Sequence, residues 1–164
     1  MKVSTRARYA MRFMIDLADH SHDESPVILG DIAKRQQISK RYLEQIATNL
    51  KNAHLVSPTS GRGGGYRLRR SPKEIKVGEI LRATIGEFNL VECVTDPKNC
   101  SRSQQCPSRK MWVELNEKID DFVNTFTLSD LCEGGEKGMV AAATLGGGGP
   151  CIAGPQVSTN TKSF

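Results

Sequence analysis

The 164-residue sequence has no long hydrophobic run; no stretch approaches the roughly 18 apolar residues that cross a bilayer. Aromatic residues are scarce, at 5%, with a single Trp. The opening stretch is broken by Arg8, Arg12 and Asp16, so it does not read as a secretory leader. There is no Cys-x-x-Cys pair, and no base stands beside a thiol, which speaks against a redox enzyme. The glycine-rich stretch lacks the Gly-Lys-Ser/Thr ending of a phosphate-binding P-loop. A membrane protein and a secreted precursor are therefore not expected. A cytoplasmic protein is expected, its five Cys being reduced thiols or metal ligands and not a disulfide framework.

What is present is a modest core and an uneven charge. Hydrophobic residues make up 38% and charged residues 25% of a chain about the size of one ordinary domain, or of a small domain plus extensions. The net charge is +5. Residues 1–70 hold 13 Lys/Arg against 6 Asp/Glu, whereas residues 71–164 hold 10 against 12. A polyanion partner for the front half is the natural inference, and a merely solvated basic surface is the alternative. From Cys132 to Phe164 the chain carries eight Gly, four of them consecutive at 146–149. Such a segment buries too little to offset its chain entropy, and disorder is expected over 132–164.

Ala10, Phe13, Met14 and Leu17 follow the spacing of an amphipathic helix. Met11, Ile15 and Ala18 add a second apolar face, for a partner subunit or for the helix's own core. Ile28, Leu29, Ile32 and Ala33 mark a short helix, Gln36-Gln37-Ile38 a turn, and Leu43, Ile46, Ala47 and Leu50 the buried stripe of a second helix. Ser39 can cap that second helix by accepting a bond from an early N–H. Lys40, Arg41, Glu44 and Gln45 form its outer face. This is the pattern of a helix-turn-helix. Lys40 and Arg41 stand at the positive end of the helix dipole, where acids are locally preferred; a phosphate or a base edge would relieve that conflict. Gln45 suits adenine edges, and Glu44 can accept from cytosine. Leu55–Thr59 and Tyr66–Arg69 then read as two short strands joined through Ser60-Gly61-Arg62-Gly63-Gly64-Gly65. Glycines allow a tight tip, and Arg62 is placed to probe a minor groove or a phosphate. Together these elements predict a winged helix. Ser71-Pro72-Lys73-Glu74 resembles a capping box opening another short helix with Val77, Ile80, Leu81 and Thr84.

The chemical signal is Cys93, Cys100 and Cys106, with six and five residues between them. Three thiols on one loop can converge on zinc or on an iron–sulfur cluster, one ligand short of four. Free thiols or a redox disulfide are the alternatives. After Pro107, the residues Trp112, Leu115, Ile119, Phe122 and Phe126 repeat with 3, 4, 3, 4 spacing, a coiled-coil-like seam suited to dimerisation or to docking on its own domain.

These residues resemble the Rrf-two-type winged-helix regulators over about residues 1–130. The resemblance rests on Arg8-Tyr9-Ala10, Asp31-Ile32-Ala33, Ile38-Ser39, Tyr42-Leu43-Glu44-Gln45, Leu55-Val56, Gly63-Gly64-Gly65-Tyr66-Arg67-Leu68, Val77-Gly78-Glu79-Ile80, the Cys triplet and Trp112. It implies a homodimeric DNA-binding transcription regulator whose three Cys hold an iron–sulfur cluster, with [2Fe–2S] favoured over [4Fe–4S]. It also implies DNA contacts at Ser39, Arg41, Tyr42, Glu44 and Gln45. Three positions depart from the pattern. Some members carry a His ligand three residues after the third Cys, where this chain has Arg109. Others take an acidic ligand from near the partner's N-terminus, where this chain has Arg8. A basic residue before the first wing glycine is Ser60 here, with Arg62 two positions later. The fourth ligand stays open among Cys132, Glu92, Asp96 and a partner-chain group.

The expected fold is mainly α with a small β-hairpin wing, a winged helix-turn-helix plus a long C-terminal dimerisation helix. The expected divisions are 1–70 for DNA binding, 71–91 as a helical connector, 92–106 as the cysteine loop, 107–131 as the dimerisation helix and 132–164 as tail. The expected function is transcription regulation, as a repressor, on a pseudo-palindromic operator, not catalysis. The signal is redox, nitric oxide or iron–sulfur status, or, without a cluster, thiol oxidation or zinc.

Overall fold

Ser4 opens the first helix, α1 (Thr5–His20): its Oγ accepts from the Ala7 N–H at 3.1 Å, satisfying one of the donors that a helix start leaves unpaired. The computed structural model describes residues 3–21, 25–61 and 63–132. Ala7, Ala10, Phe13, Met14 and Leu17 are wholly shielded, so α1 lies at the centre of its own core. Met11, Ile15 and Ala18 are half-buried against the same cluster.

Helix α2 (Leu29–Gln36) ends at Gln37, which takes left-handed geometry with φ of 53°. Helix α3 (Lys40–Asn52) starts after Ser39, whose Oγ accepts from the Tyr42 N–H at 3.3 Å. Its buried residues are the expected Leu43, Ile46, Ala47 and Leu50. His54, with φ of 58°, turns the chain into β1 (Val56–Thr59), which pairs antiparallel with β2 (Gly65–Leu68) from Val56↔Leu68 to Thr59↔Gly65. A third partner was not read from the sequence. Val27 and Tyr66 exchange both backbone hydrogen bonds at 2.9 Å, making β2 the middle strand. A Cβ at Gly65 would come within 2.2 Å of the Val27 oxygen, so only glycine lets this strand close.

The core does not stop at residue 70. Ile75, Ile80 and Leu128 join the same buried cluster as Phe13 and Leu50. The helical start expected at Ser71–Glu74 is instead a turn, in which the Ser71 N–H donates to the Glu74 carboxylate at 3.2 Å. Helix α4 (Val77–Ile85) begins later, with the Glu79 carboxylate accepting from the Lys76 N–H at 3.0 Å. The reason is long-range: Ile75 and Lys76 are drawn out straight to bond the chain returning from the C-terminal side. Leu128 N–H donates to Ile75 O at 2.8 Å, Val77 N–H to Phe126 O at 3.0 Å, and Ser129 N–H to Pro72 O at 3.1 Å.

Beyond α4 come α5 (Glu92–Thr95), a 3₁₀ turn at Pro97–Asn99, and α6 (Arg109–Thr125). The long helix expected over 107–131 is therefore shorter. Phe126 is extended, and 126–132 folds back onto the N-terminal core with Leu128 fully buried and Cys132 packed against it. Helix α6 itself buries no residue. It is bolted to α4: Arg82 pairs with Asp120 and donates to Asn124 Oδ1 at 3.0 Å, at a point where Gly78 leaves room for Asn124. Arg62, residues 22–24 and the tail from 133 onward, with the disorder expected there, lie outside the described residues.

Candidate nucleic-acid interface and cysteine loop

The outer face of α3 carries the expected side chains. Ser39, Lys40, Arg41, Glu44 and Gln45 are exposed, and the first turn holds no acid. Two cations thus sit on the positive end of a helix dipole, an arrangement that favours a bound anion. Ser39 is also the cap, so its oxygen is already accepting a backbone bond. Tyr42 differs from the other five. It is half-buried, with its ring edge-on to Tyr9 at 5.8 Å, and Tyr9 in turn lies under Arg12 at 5.5 Å. Tyr42 therefore joins α3 to α1 as well as flanking the outer face.

A hollow beside this face is lined by Ile28, Gly30, Lys40, Pro58, Gly64 and Tyr66, where α2, α3 and the wing meet. The hairpin tip is closed by Gly64 N–H donating to Gly61 O at 2.9 Å, with Gly61 and Gly63 both at positive φ. A Cβ at Gly64 would meet Thr59 O at 2.4 Å, which explains a glycine there.

One feature of this half escaped the sequence reading. Asp16 is almost fully buried on α1, where its carboxylate accepts from Arg35 at 2.6 and 3.0 Å and from Gln36 at 2.9 Å. Arg12 donates to Gln36 Oε1 at 2.9 Å. Burial pushes the Asp16 pKa up, but the hydrogen bonds from Arg35 and Gln36 and the Arg35 charge prevail, so it lies below the ordinary 3.8. The cluster fastens α1 to the last residues of α2, immediately before the turn into α3. The signal was there: an acid within the apolar stripe of α1, between Phe13 and Leu17.

The cysteine loop is half-exposed. Cys93 lies in α5, Cys100 closes the 3₁₀ turn, and Cys106 precedes α6; all three are free and half-buried. Hydrogen bonds pin the loop internally: Ser103 Oγ donates to Pro97 O at 2.8 Å, and Lys98 N–H to the Asp96 carboxylate at 3.0 Å. Arg109, three residues after the third Cys, donates from Nε to Cys93 O at 3.1 Å. It ties the first cysteine to the first residue of α6. Cys106 Sγ lies 3.2 Å from Ser108 Oγ; that hydroxyl, the N–H groups of Ser108 and Arg109, and the charge of Arg102 hold its pKa below the usual thiol value. Among the described residues no three His, Cys, Asp or Glu side chains gather closely enough to hold a metal.

Of the fourth-ligand candidates within the chain, Cys132 is engaged elsewhere, its thiol donating to Leu128 O at 3.2 Å beside the core. Cys106 precedes α6 and Cys132 follows it, and the 17 residues of that helix span about 25 Å. Burial also pushes the Cys132 thiol up to about 12, with Asp19 adding to the effect. Asp96 is occupied as the cap of its own turn, and Glu92 is exposed. Arg8 is exposed at the start of α1 and donates to Thr5 Oγ1.

A capped helix-turn-helix with a cationic leading end, beside a glycine-tipped hairpin, defines a winged-helix DNA-binding regulator. The chain belongs to the Rrf2 family, described as iron-dependent transcriptional regulators, which it matches over residues 3–134. It is similar to the HTH-type transcriptional regulator IscR of Erwinia tasmaniensis, at 38% identity over 141 residues, covering 86% of this chain and 84% of that protein. Among solved structures it resembles CymR, the global cysteine regulator of B. subtilis, at 34% identity and a TM-score of 0.66, covering 81% of this chain and 97% of that one. It also resembles IscR of T. potens, at 33% identity and a TM-score of 0.61, covering 91% and 94%. These relatives and this fold are those of transcription regulators, not of enzymes. No helix of the described residues is long and apolar enough to cross a membrane.

Proposed function

We propose that this chain is a homodimeric, cytoplasmic repressor that binds a pseudo-palindromic operator and reads redox, nitric oxide or iron–sulfur status through Cys93, Cys100 and Cys106. Two recognition helices related by a two-fold axis suit half-sites one helical turn apart. Ser39, Lys40, Arg41, Tyr42, Glu44 and Gln45 meet the major groove, and Arg62 meets the minor groove or backbone. Lys40 and Arg41 supply phosphate attraction, whereas Gln45 and Glu44 supply base discrimination. The dimer forms through the seam of α6, where Phe122 is 59% exposed and Leu115 40%. An apolar helix face of this kind is costly in water and suits a second copy.

The observation that carries the sensing reading is the continuity from the thiols to the DNA-binding core. Arg109 ties the Cys93 backbone to the start of α6, Arg82 bonds α6 to α4, and residues 126–128 bond its far end to Ile75 and Val77. Three soft, half-exposed thiols fit an iron–sulfur cluster in kind, with the fourth ligand left to a group outside the loop. The description of the family as iron-dependent supports iron, and [2Fe–2S] is the favoured form. When bound, the cluster supplies a centre sensitive to oxidation and nitric oxide. The three Cys would hold it once the loop draws them together, and Arg109 and α6 would carry that change to α4. Two states that bind DNA differently are then populated according to loop occupancy.

A second reading has its own support. The lowered pKa of Cys106 favours thiolate chemistry without a cluster, by thiol oxidation or zinc. Anaerobic purification with an absorbance spectrum and iron and sulfide assays separates the two. Visible charge-transfer bands with matched iron and sulfide, lost in Cys100→Ala together with a change in operator affinity, support the cluster. A colourless protein after anaerobic reconstitution refutes it and leaves the thiol reading.

A further inference from the structure

We propose that a cleft at the base of the wing, centred on Arg67, binds a small oxyanion: a phosphate or carboxylate group carried by a free small molecule. The cleft encloses about 630 Å³ between the end of α1 and the strands, with Ser21, Ser57, Arg67, Arg69 and Arg70 in its lining. Two of the three arginines are already engaged. Arg69 donates to His54 Nδ1 at 3.1 Å, and Arg70 pairs with Glu79 at 2.5 Å. Arg67 is different: its Nε is shielded from solvent and has no hydrogen-bond partner among the described residues. Covering part of an unpaired guanidinium is costly, and an anion on its uncovered terminal nitrogens offsets that cost. Because Nε is covered by protein, the anion is met by the two terminal nitrogens of the same guanidinium, which make no hydrogen bond among the described residues and form a planar fork matching two oxygens of one carboxylate or phosphate. Ser21 and Ser57 add two hydroxyls able to donate to the same anion.

The strand register says which anion to expect. Ser57 and Arg67 are cross-strand partners, and they line this cleft. The next pair, Pro58 and Tyr66, lines the hollow shared with Lys40 and the start of α2. Successive residues of a strand face opposite ways. Arg67 therefore opens on the side of the hairpin turned away from the recognition helix, which favours a free small anion over the backbone of the duplex lying against α3. The site is remote from the cysteine loop in the chain and does not depend on what the three thiols bind.

The test titrates the full-length protein with inorganic phosphate at constant ionic strength, read by calorimetry, with thermal unfolding of the same samples. The expected result is saturable binding that weakens about tenfold or more in Arg67→Gln, as loss of a charge-assisted hydrogen bond implies, and is partly kept in Arg67→Lys. Ser57→Ala, which leaves the cation in place, is the second variant; it is expected to weaken binding by less than Arg67→Gln. A folded wild-type protein with no saturable binding overturns the proposal, as does undiminished binding in both Arg67→Gln and Ser57→Ala. A second arm measures affinity for a mixed-sequence duplex against salt. An unchanged slope in Arg67→Gln is expected. A slope reduced by about one, without phosphate binding, assigns Arg67 to the DNA backbone and overturns the free-anion site.

Discussion

The DNA-binding core and the α6 arm are built on opposite principles. In the core, Phe13, Met14, Leu17, Ile32, Leu43, Ile46 and Leu50 are all completely shielded by their own chain. Each contributes roughly 1.5–3 kcal/mol relative to exposure, so burial dominates in specifying the core's shape. In α6 no residue is buried, and Met111, Leu115 and Phe122 are open to solvent. The arm is specified by attachments at its ends and along one side: Arg109 to Cys93, Arg82 to Asp120 and Asn124, and the 126–128 return. The contrast teaches that one region is complete in a single chain, whereas the other leaves apolar side chains and thiols uncovered, the surface on which the proposed dimer and ligand rest.

The largest way to sharpen that contrast is a pair of truncations. Leu50→Ala is expected to cost about 2–5 kcal/mol in chemical denaturation, because it leaves a cavity in close-packed surroundings. Leu115→Ala is expected to change the stability of the monomer by no more than about 0.5 kcal/mol, while weakening self-association in sedimentation measurements. Equal losses from both would erase the distinction.

Next in size is Asp16→Asn, which breaks the clamp between α1 and α2. The expected cost near neutral pH is about 2 kcal/mol, less than for a wholly buried pair because Arg35 keeps about a third of its surface exposed. The carboxylate's folded pKa lies below its ordinary value, so its stabilising effect is fully present above about pH 4 and is lost as pH falls through the folded value. The stability gap between wild type and Asp16→Asn is therefore expected to close below about pH 4. A gap that stays constant down to pH 2 would mean that the carboxylate's charge does not matter.

Gly78→Ala tests the bolt between the two regions. The added methyl would stand 2.2 Å from Asn124 Oδ1, forcing that side chain off Arg82 and Asp120. The expected loss is about 1–2 kcal/mol. In an Asn124→Ala background the same change should be neutral or stabilising, since alanine is the better helix former. Smallest is Ser39→Ala, which removes the α3 cap and is expected to cost about 1 kcal/mol by thermal unfolding.

The core was legible in the sequence because its signals are local and periodic. The stripes of α1 and α3, the cap at Ser39 and the glycine-tipped hairpin each lie within one element. What escaped reading depends on partners far along the chain. Val27 joins β2 as a single residue, too short to show alternation. Ser71–Glu74 has the composition of a helix start, but the pull of Ile75 and Lys76 toward residues 126–128 delays α4 to Val77. The seam of α6 was visible, yet its end at Thr125 was not, because Phe126 continues the apolar spacing while its backbone is already extended. Cys93, Cys100 and Cys106 were legible as three thiols on one loop, whereas the use of Arg109 as a tether to Cys93 is geometry that spacing does not carry.

The return of residues 126–128 onto Ile75 and Val77 makes α6 a lever with its fulcrum at the DNA-binding core and its handle at the cysteines. A 17-residue helix is about 25 Å long, so a tilt of about 5° at the fulcrum sweeps the far end by about 2 Å. Run in the other direction, a displacement of atomic size among the thiols becomes a change in angle at the core. In the proposed two-fold dimer that angle would be applied twice, once on each side, and the separation of the paired reading heads would change by the sum.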